Sequence, residues 1–430
     1  MNIRSSGILL HPTSLPETPG IGTIGKQAYK FVDWLASANQ TLWQILPIGP
    51  TGYGDSPYAS FSTFAGNPLM IDLDMLKEKG WISQEQITPP DYIKNSGYVD
   101  FGSVVWWKIP VLKTAASQFL DSCAKEDRDL YEAFKNDNAS WLDNYAIFMS
   151  IKEYYDAKAQ EEDRFGAMWS NYWPKELATH QPKAVSDWHA SHVKETEVHK
   201  VIQFFFFSQW KKLKEYANSK GISIIGDIPI FVASDSADVW ANQNLFQLDK
   251  DGKSTAVAGV PPDYFSATGQ LWGNPIYNWD VMKKNGYKWW SDRIKHMSKM
   301  FDALRIDHFR GIESYWAVPG GAETAKEGCW KKGPGMELVE VIKNSAGETE
   351  IIAEDLGEIT YDVQKLVEDS GFPGMRVFQF GFLSEGDSLH KPYNYGYNTV
   401  AYTGTHDNNT LLGYLWELGD DARKNMLEYC

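Results

Sequence analysis

The sequence predicts an α/β fold, a (β/α)8 barrel with large insertions after its second and third strands. Two observations predict it: short apolar runs alternate with amphipathic helical segments, and charged or polar residues follow the apolar runs. Alternating strands and helices indicate a parallel sheet that is buried on both faces. In a barrel the functional side chains lie at the carboxyl ends of the strands. An open doubly wound sheet fits the same alternation and is the alternative.

The apolar runs predict seven strands. In chain order they lie in GILLHP, TLWQILPI, ISIIGDIPIFV, LRIDHFRG, EIIAEDLG, MRVFQF and TVAYTGTHDN. The segments between them carry apolar residues at helical spacing, as Phe206, Trp210 and Leu213 do before the third strand. Gly221 is the expected C-terminal cap of that helix. The last segment, DDARKNMLEYC, is helical, so an eighth strand is expected beyond Cys430.

Two long segments interrupt the alternation, and both follow strand ends. Residues 50–200 are rich in Trp and Tyr with mostly helical patterns, whereas residues 233–285 are predicted to be loop-like, with a hairpin at LFQLDKDGKSTAV. A minimal barrel needs roughly 250 residues, so the excess length lies in these segments. We predict one barrel domain over residues 1–430, incomplete at its C-terminus, with an insertion subdomain and a substrate loop.

The composition disfavours several classes of protein. The chain has 430 residues, a formal net charge of −15 and three cysteines, Cys123, Cys329 and Cys430. An acidic surface disfavours nucleic acid or anionic membrane as the main partner, because both require clustered basic residues. Isolated cysteines indicate neither a disulfide framework nor a zinc site. The N-terminal apolar run is short and no run reaches membrane length, so we expect a cytoplasmic protein.

Three motifs are weak signals for a nucleotide or a metal. GIGTIG, at residues 20–25, fits a dinucleotide-binding pattern, but no strand directly precedes it. DKDGKS resembles the start of a calcium loop and lacks the later ligands that such a loop needs. His189, His192 and His199 lie in a charged helical segment without a carboxylate or thiolate that completes a set. We therefore predict no metal site.

Charged residues at strand ends are the strongest functional signal. Arg305 and Asp307 in LRIDHFRG point to one side of a strand, because side chains alternate. A guanidinium beside Asp307 would keep the carboxylate ionised and oriented, as a nucleophile requires. The alternative is that Arg305 and Asp307 form an ion pair that only stabilises the strand end. Burial and the neighbouring carboxylates Asp307 and Asp407 would raise the pKa of Glu354 in AEDLG, so that it holds a proton. The alternative is that Glu354 caps the next helix.

Other strand ends and loops add polar and aromatic residues. Asp227 ends the third strand, and His406, Asp407 and Asn408 follow the seventh, where an Asx turn is the alternative for Asn408. One ionised and one protonated carboxyl group are the groups that cleave a glycosidic bond, with retention when they lie roughly 5 Å apart. Aromatic residues in GYGDSPY, GQLWGNPIYNW and PYNYGYN suit the apolar faces of sugar rings, although ordinary packing also explains them.

These segments resemble those of the 4-α-glucanotransferases, the amylomaltases or disproportionating enzymes of glycoside hydrolase family 77 in the α-amylase clan. The resemblance covers essentially the whole chain. It lies, in order, in GILLHPTSLP, GYGDSPYASFSTFAGNP, IGDIPIFVASDSADVWAN, AGVPPDYFSATGQLWGNPIYNW, LRIDHFRG, IIAEDLG and YTGTHDN. It implies an enzyme that cleaves an α-1,4-glucan and passes the fragment to the 4-hydroxyl of another sugar.

The resemblance also implies roles for single residues. Asp307 would be the nucleophile, Glu354 the general acid/base and Asp407 the carboxylate that orients the sugar. The substrate-binding residues would be Tyr58, Asp227, Trp272, Arg305, His308 and His406. The partners would be α-1,4-glucans and maltooligosaccharides, with glucose as acceptor, and no metal or organic cofactor is expected. Family members continue into an eighth strand and helix, so the chain is expected to be incomplete.

Two alternative functions stay open. A hydrolase of the α-amylase clan would use the same carboxylates, since only the second nucleophile, water or a sugar hydroxyl, differs. A glucan-binding protein without turnover would need the aromatic residues but not carboxyl groups that share a proton. The sequence indicates neither the preferred glucan length nor the oligomeric state.

Overall fold

Strands and helices alternate along the computed structural model, which describes residues 4–16, 18–52, 54–93, 97–164, 167–262, 266–357, 359–382 and 386–430. The strands are β1 Gly7–Leu9, β2 Leu42–Gln44, β3 Ser223–Pro229, β4 Ala256–Val260, β5 Gln270–Pro275, β6 Ala303–Asp307, β7 Ser314–Pro319, β8 Cys329–Lys332, β9 Glu350–Ala353, β10 Gly374–Val377 and β11 Thr399–Tyr402.

The helices vary widely in length. They are α1 Lys26–Ser37, α2 Leu73–Glu78, α3 Gln84–Ile87, α4 Phe101–Ser122, α5 Lys125–Asp137, α6 Leu142–Glu161, α7 Trp169–Tyr172, α8 Lys175–Ala178, α9 Pro182–Ser191, α10 Val193–Ser219, α11 Ala237–Ala241, α12 Trp279–Lys284, α13 Lys288–Met300, α14 Met336–Ala346, α15 Tyr361–Ser370, α16 Leu411–Glu417 and α17 Asp420–Tyr429. Among the described residues, no helix has the length and apolar composition of a membrane span.

Within the described ranges, seven strands form the parallel part of the fold. β1, β2, β3, β6 and β9 are hydrogen-bonded neighbours in that order, and β10 pairs in parallel with β11. The N–H of Ala353 in β9 donates to the carbonyl of Pro373, directly before β10, at 2.9 Å and joins the two groups. These strands coincide with the seven apolar runs, because runs rich in Val, Ile and Leu can bury both faces there. The prediction of seven parallel strands is confirmed.

The parallel strands curve into a barrel wall. In a flat sheet β2 and β11 would be five strand spacings apart, roughly 24 Å at ~4.8 Å each. The hydroxyl of Tyr402 in β11 instead donates to Oε1 of Gln44 in β2 at 2.7 Å. Such curvature is that of a (β/α)8-type barrel, so the predicted fold class is confirmed and the open doubly wound sheet is excluded.

The strand side chains divide between two apolar regions. One small cluster within the barrel consists of Ile225, Ala303, Ile352 and Met375. Alternate residues such as Leu304 belong instead to the main hydrophobic core, which includes the surrounding helices. Because the side-chain period of a strand is two, Arg305 and Asp307 lie on the same inner side as Ala303. The alternation thus brings charged groups to the barrel mouth.

The segment between β2 and β3 is mostly helical, as predicted, and ends in the long helix α10. The predicted apolar residues of α10, Phe206, Trp210 and Leu213, are buried. Nε1 of Trp210 donates to the carbonyl of Met300 at 3.0 Å and fixes α10 against the end of α13. Gly221 follows the helix with a φ of 76°, a left-handed conformation that glycine adopts without strain. Its predicted role at the helix end is confirmed.

Residues 233–285 are more regular than the sequence predicts. The segment, expected to be loop-like, contains α11, β4, β5 and α12 in addition to its loops. β4 and β5 belong to an antiparallel sheet of order β5-β4-β7-β8, whose other strands come from an unpredicted third insertion, between β6 and α14. Such pairing is long-range, so local periodicity does not reveal it. The predicted hairpin is present, with an antiparallel bridge between Leu248 and Ser254.

Candidate active site

An arginine between two carboxylates lies at the centre of the site. Asp227 in β3 and Arg305 in β6 occupy paired positions of neighbouring strands, and both are buried. Nη1 of Arg305 donates to both oxygens of Asp227, at 2.8 and 2.7 Å, and its Nη2 donates to Oδ1 of Asp307 at 2.7 Å. The predicted contact between Arg305 and Asp307 is confirmed. With one cation and two carboxylates, the group carries a net negative charge.

We expect the loss of this arginine to destabilise the fold. Arg305→Met leaves the carboxylates of Asp227 and Asp307 without their counter-charge, and removing one partner of a buried ion pair costs about 3–5 kcal/mol. The free energy of unfolding, measured in urea, should fall by about that amount. As a control, Lys365→Met removes an exposed ion pair to Asp369 and should leave the urea midpoint unchanged. A loss below about 1 kcal/mol in Arg305→Met would contradict the prediction.

Burial and charge pairing act in opposite directions on the pKa of Asp307, the last residue of β6. Burial raises its pKa, the guanidinium of Arg305 lowers it and the charge of Asp227 raises it again, with a net rise. Desolvation therefore outweighs the effect of Arg305 on the pKa of Asp307, and the sequence does not display desolvation. The side chain of Asp307 is 29% exposed, so one face stays open to a ligand.

Glu354 follows β9 and lies beside the end of β6. Its Oε2 accepts the N–H of His308 at 2.7 Å and its Oε1 accepts the N–H of Leu356 at 2.7 Å. Burial and then the charge of Asp307 raise the pKa of Glu354 to about 7. The predicted rise is thus present. The expected contribution of Asp407 is wrong, because its side chain is 78% exposed and water screens its charge.

His308 joins the two strand ends through a strained turn. Its φ of 54° and ψ of 46° are left-handed, which is uncommon for a residue other than glycine. At this turn its N–H reaches the carboxylate of Glu354. Burial lowers the pKa of His308 to about 3, so the imidazole is neutral. The indole of Trp272 meets this ring edge-on, with the ring centroids 4.8 Å apart.

A cleft of about 540 Å³ opens over the end of β6. Of the residues predicted from the sequence, those that line it are Tyr58, Trp272, Asp307, His308, His406 and Asp407. Asp227 and Arg305 support it through their bonds to Tyr58 and Asp307. Glu354 does not line the cleft, because its carboxylate is turned towards backbone N–H groups. The structure thus gathers residues from five separate segments around one cavity.

Tyr58 and His406 form one wall of the cleft. Their rings stack with centroids 5.2 Å apart, and the Tyr58 hydroxyl donates to Oδ2 of Asp227 at 2.7 Å. Burial raises the pKa of Tyr58 above its ordinary value, so the hydroxyl keeps its proton. Nε2 of His406 lies 3.3 Å from Oδ1 of Asp407 at the exposed rim. A loop of the first insertion and the end of β11 therefore meet at the cleft.

Two polar residues that were not predicted, Gln270 and Asn274, support the strand that carries Trp272. Oε1 of Gln270 accepts the indole N–H of Trp272 at 3.1 Å, and Nδ2 of Asn274 donates to the carbonyl of Val232 at 2.9 Å. Both residues line the cleft. Side chains two positions apart in a strand point to the same side, and Gln270 and Asn274 each lie two positions from Trp272. This spacing was the signal that could have found them.

The described residues contain no group of three or more His, Cys, Asp or Glu side chains that could hold a metal ion. The histidines of the helical insertion have other contacts. Nε2 of His199 lies 3.2 Å from Oε2 of Glu153, and the ring of His192 stacks on Trp188 with centroids 3.9 Å apart.

Comparison with known proteins decides the family. The family model described as 4-alpha-glucanotransferase, glycoside hydrolase family 77, matches residues 10–430. The chain belongs to this family. The 4-alpha-glucanotransferase of Streptococcus pneumoniae is 46% identical over 430 residues, which are 100% of this chain and 83% of that protein. The 4-alpha-glucanotransferase of Thermus thermophilus is 46% identical over 413 residues, which are 96% of this chain and 80% of that protein.

A solved structure of the 4-alpha-glucanotransferase family supports the same assignment. The amylomaltase of Streptococcus agalactiae, solved in complex with acarbose, superposes with a TM-score of 0.92 and 42% sequence identity. The match covers 99% of this chain and 84% of that one. The resemblance drawn from the sequence segments and the predicted class of enzyme, a 4-α-glucanotransferase, are confirmed.

Proposed function

We propose that the chain transfers α-1,4-glucan segments from a donor to the 4-hydroxyl of an acceptor glucose or maltooligosaccharide, with retention through a covalent glycosyl-enzyme. One observation carries the proposal: Asp307 is held by a guanidinium, while the nearby Glu354 has a pKa raised to about 7. Retaining cleavage needs one ionised and one protonated carboxyl group. Family membership and the acarbose complex of the Streptococcus agalactiae relative support α-1,4-glucans as the substrate class.

In the first step, Asp307 acts as the nucleophile. A carboxylate oxygen attacks C1 of the glucose unit, the bond between C1 and O4 of the leaving sugar breaks, and Glu354 gives its proton to that oxygen. The product is a glycosyl ester on Asp307 with inverted configuration. The net negative charge of Asp227, Arg305 and Asp307 favours the positive charge that develops on the sugar ring. Asp407, on the cleft wall, orients the sugar.

In the second step, an acceptor sugar replaces the leaving sugar. Glu354, now ionised, takes the proton of the acceptor 4-hydroxyl, whose oxygen attacks C1 and displaces Asp307. A second inversion restores the original configuration. Glu354 must turn from its backbone N–H donors towards the cleft in both steps, so we assign its observed position to the free enzyme.

The remaining predicted residues are proposed to bind substrate. The six assigned to this role are Tyr58, Asp227, Trp272, Arg305, His308 and His406. Trp272 is 38% exposed beside the cleft and offers an apolar surface to a sugar ring, while His308 and His406 offer ring nitrogens for hydrogen bonds. The proposal includes no metal or organic cofactor. A cytoplasmic location stays a prediction of the sequence.

We propose that the insertions bias the enzyme towards transfer. The insertion subdomain at residues 50–200 supplies Tyr58 and Met168 to the cleft wall, and the segment at residues 233–285 supplies Asp235 and Trp272. Segments that cover a glycosyl-enzyme exclude water and favour a bound sugar hydroxyl as the second nucleophile.

Incubation with maltotriose tests the proposed function. We expect glucose together with longer maltooligosaccharides, while the concentration of reducing ends stays constant, because each cleavage is followed by a new glycosidic bond. Reducing ends that rise with time would indicate hydrolysis instead. Binding of maltotriose without any products would indicate a glucan-binding protein.

The raised pKa of Glu354 predicts the pH dependence of the first step. Only the protonated acid can assist the leaving oxygen, so activity is present below the pKa and is lost above it. We expect kcat/KM for maltotriose to fall about tenfold per pH unit as the pH rises through about 7. Initial rates at low maltotriose between about pH 5 and about pH 9 measure it. A constant kcat/KM over the alkaline half of this range would contradict the acid role.

A further inference from the structure

A second cavity, which we call the rear chamber, is lined in part by the segment that follows Tyr58. Its volume is about 410 Å³, within the range of ~300–1,000 Å³ of small-molecule sites. Ser62 and Phe64 of that segment form one wall, and α6, α11 and the start of α13 contribute the others. None of the residues proposed above for catalysis or substrate binding lines it.

The wall of the rear chamber is polar and nearly neutral. Its amide side chains are those of Asn144, Asn242, Asn244 and Asn285. Nζ of Lys288 and Oδ2 of Asp292, which also line the chamber, pair with each other at 2.5 Å, so their charges largely cancel. Amides that both donate and accept hydrogen bonds suit a ligand that carries hydroxyl groups.

Aromatic side chains add apolar surface beside these amides. Trp141, Trp289 and Phe64 line the rear chamber, and the rings of Phe64 and Trp141 stack with centroids 6.4 Å apart. A sugar presents C–H groups as well as hydroxyls. It therefore suits a cavity that is lined by both amides and aromatic rings.

Several polar groups of the wall have unused capacity for hydrogen bonds. Oδ2 of Asp238 accepts the N–H of Thr63 at 2.7 Å, but among the described residues no donor reaches its Oδ1, although Asp238 is only 5% exposed. The side chains of Asn144 and Asn244 form no hydrogen bonds within the described ranges. A buried carboxylate oxygen is normally paired, so Asp238, together with the half-buried Asn144 and the exposed Asn244, suits a polar ligand.

From these observations we infer that the rear chamber is an accessory binding site for one or two α-1,4-linked glucose units. The identity of the sugar rests on the proposed function, while the preference for a neutral polyhydroxylated ligand rests on the wall itself. Asp238 disfavours an anion, and the described residues offer no set of three metal-ligating side chains for a cation. Sugar hydroxyls would donate to Asp238 and to the amide oxygens, and the amide nitrogens would donate to the sugar.

Binding stoichiometry tests the inference. We would introduce Asp307→Asn to prevent turnover and count the maltotriose molecules bound per chain by calorimetric titration. Adding Asn144→Ala with Asn244→Ala removes two amides that line the chamber and have no hydrogen bonds to the described residues, so we expect one fewer maltotriose per chain. Adding Asn344→Ala instead, an exposed asparagine on α14, is the matched control and should leave the count unchanged.

A second variant covers the case in which the double substitution does not fold. Ser140→Trp places a bulky side chain at an exposed residue that lines the chamber just before α6, and it should also remove one bound maltotriose. An unchanged count in a folded variant would overturn the inference. Failure of the proposed function would be detected separately, as an absence of transfer products in the unsubstituted chain.

Discussion

Asp307→Asn should lower kcat for transfer from maltotriose by at least about 10⁴-fold, with only a small change in maltotriose binding. The substituted side chain has the same shape, and its amide oxygen can still accept the hydrogen bond from Arg305. It has no carboxylate oxygen that can form the ester with C1. The expected decrease in kcat therefore comes from the loss of the covalent step and not from a change in the structure of the cleft.

The control for this substitution is Asp369→Asn, which removes an exposed carboxylate paired with Lys365 on α15. It should retain full activity, since surface ion pairs contribute little. Product formation from maltotriose, followed by separation of the oligosaccharides, measures both variants. Retention of more than about a tenth of the parent rate by Asp307→Asn would refute its role as nucleophile.

Glu354→Gln should lower transfer from maltotriose by about 10²–10⁴-fold, because the leaving oxygen no longer receives a proton. The first step should be restored with α-maltosyl fluoride, since fluoride leaves without protonation. The second step still lacks its base, so the glycosyl ester should accumulate on the enzyme. Mass spectrometry of proteolytic fragments would then find the added maltosyl group on the peptide that contains residue 307.

Glu354→Gln also changes a local contact, and this requires a control. Both oxygens of Glu354 accept backbone N–H groups, whereas a glutamine offers one acceptor and places a donor opposite the other N–H. Circular dichroism and the urea midpoint should therefore be compared with those of the parent. A folded variant that transfers glucan from maltotriose at the parent rate would exclude Glu354 from the acid role.

Local patterns were sufficient for much of the fold. Apolar runs between amphipathic helices predicted the seven parallel strands, and Gly221 marked the end of α10. β4, β5, β7 and β8 were missed, since their sheet depends on the pairing of β4 with β7, which is distant in the chain. The tendency of a segment to form a strand depends on the strands that pair with it, so the segment's own residues are weak evidence for a strand.

The chemical properties of the site depend on distances that no local pattern contains. Residue types and strand ends alone pointed to Asp307, Glu354 and Asp407. Their surroundings came from the tertiary structure: Asp227, 78 positions before Arg305, shares its guanidinium, and Asp407 is exposed at the rim. Burial and the charge of Asp307 set the pKa of Glu354, and both depend on how remote segments pack.

By itself, the sequence determined the order of the strands, the kinds of residue at their ends and the resemblance to family 77. These properties follow from periodicity and side-chain chemistry, which are local. Only the tertiary structure decided how burial and charge act on the pKa values of Asp307 and Glu354, which backbone N–H groups bond to Glu354 and where the rear chamber lies. Desolvation, hydrogen bonding and cavities arise when distant segments meet, because each depends on the separation of groups in space rather than along the chain.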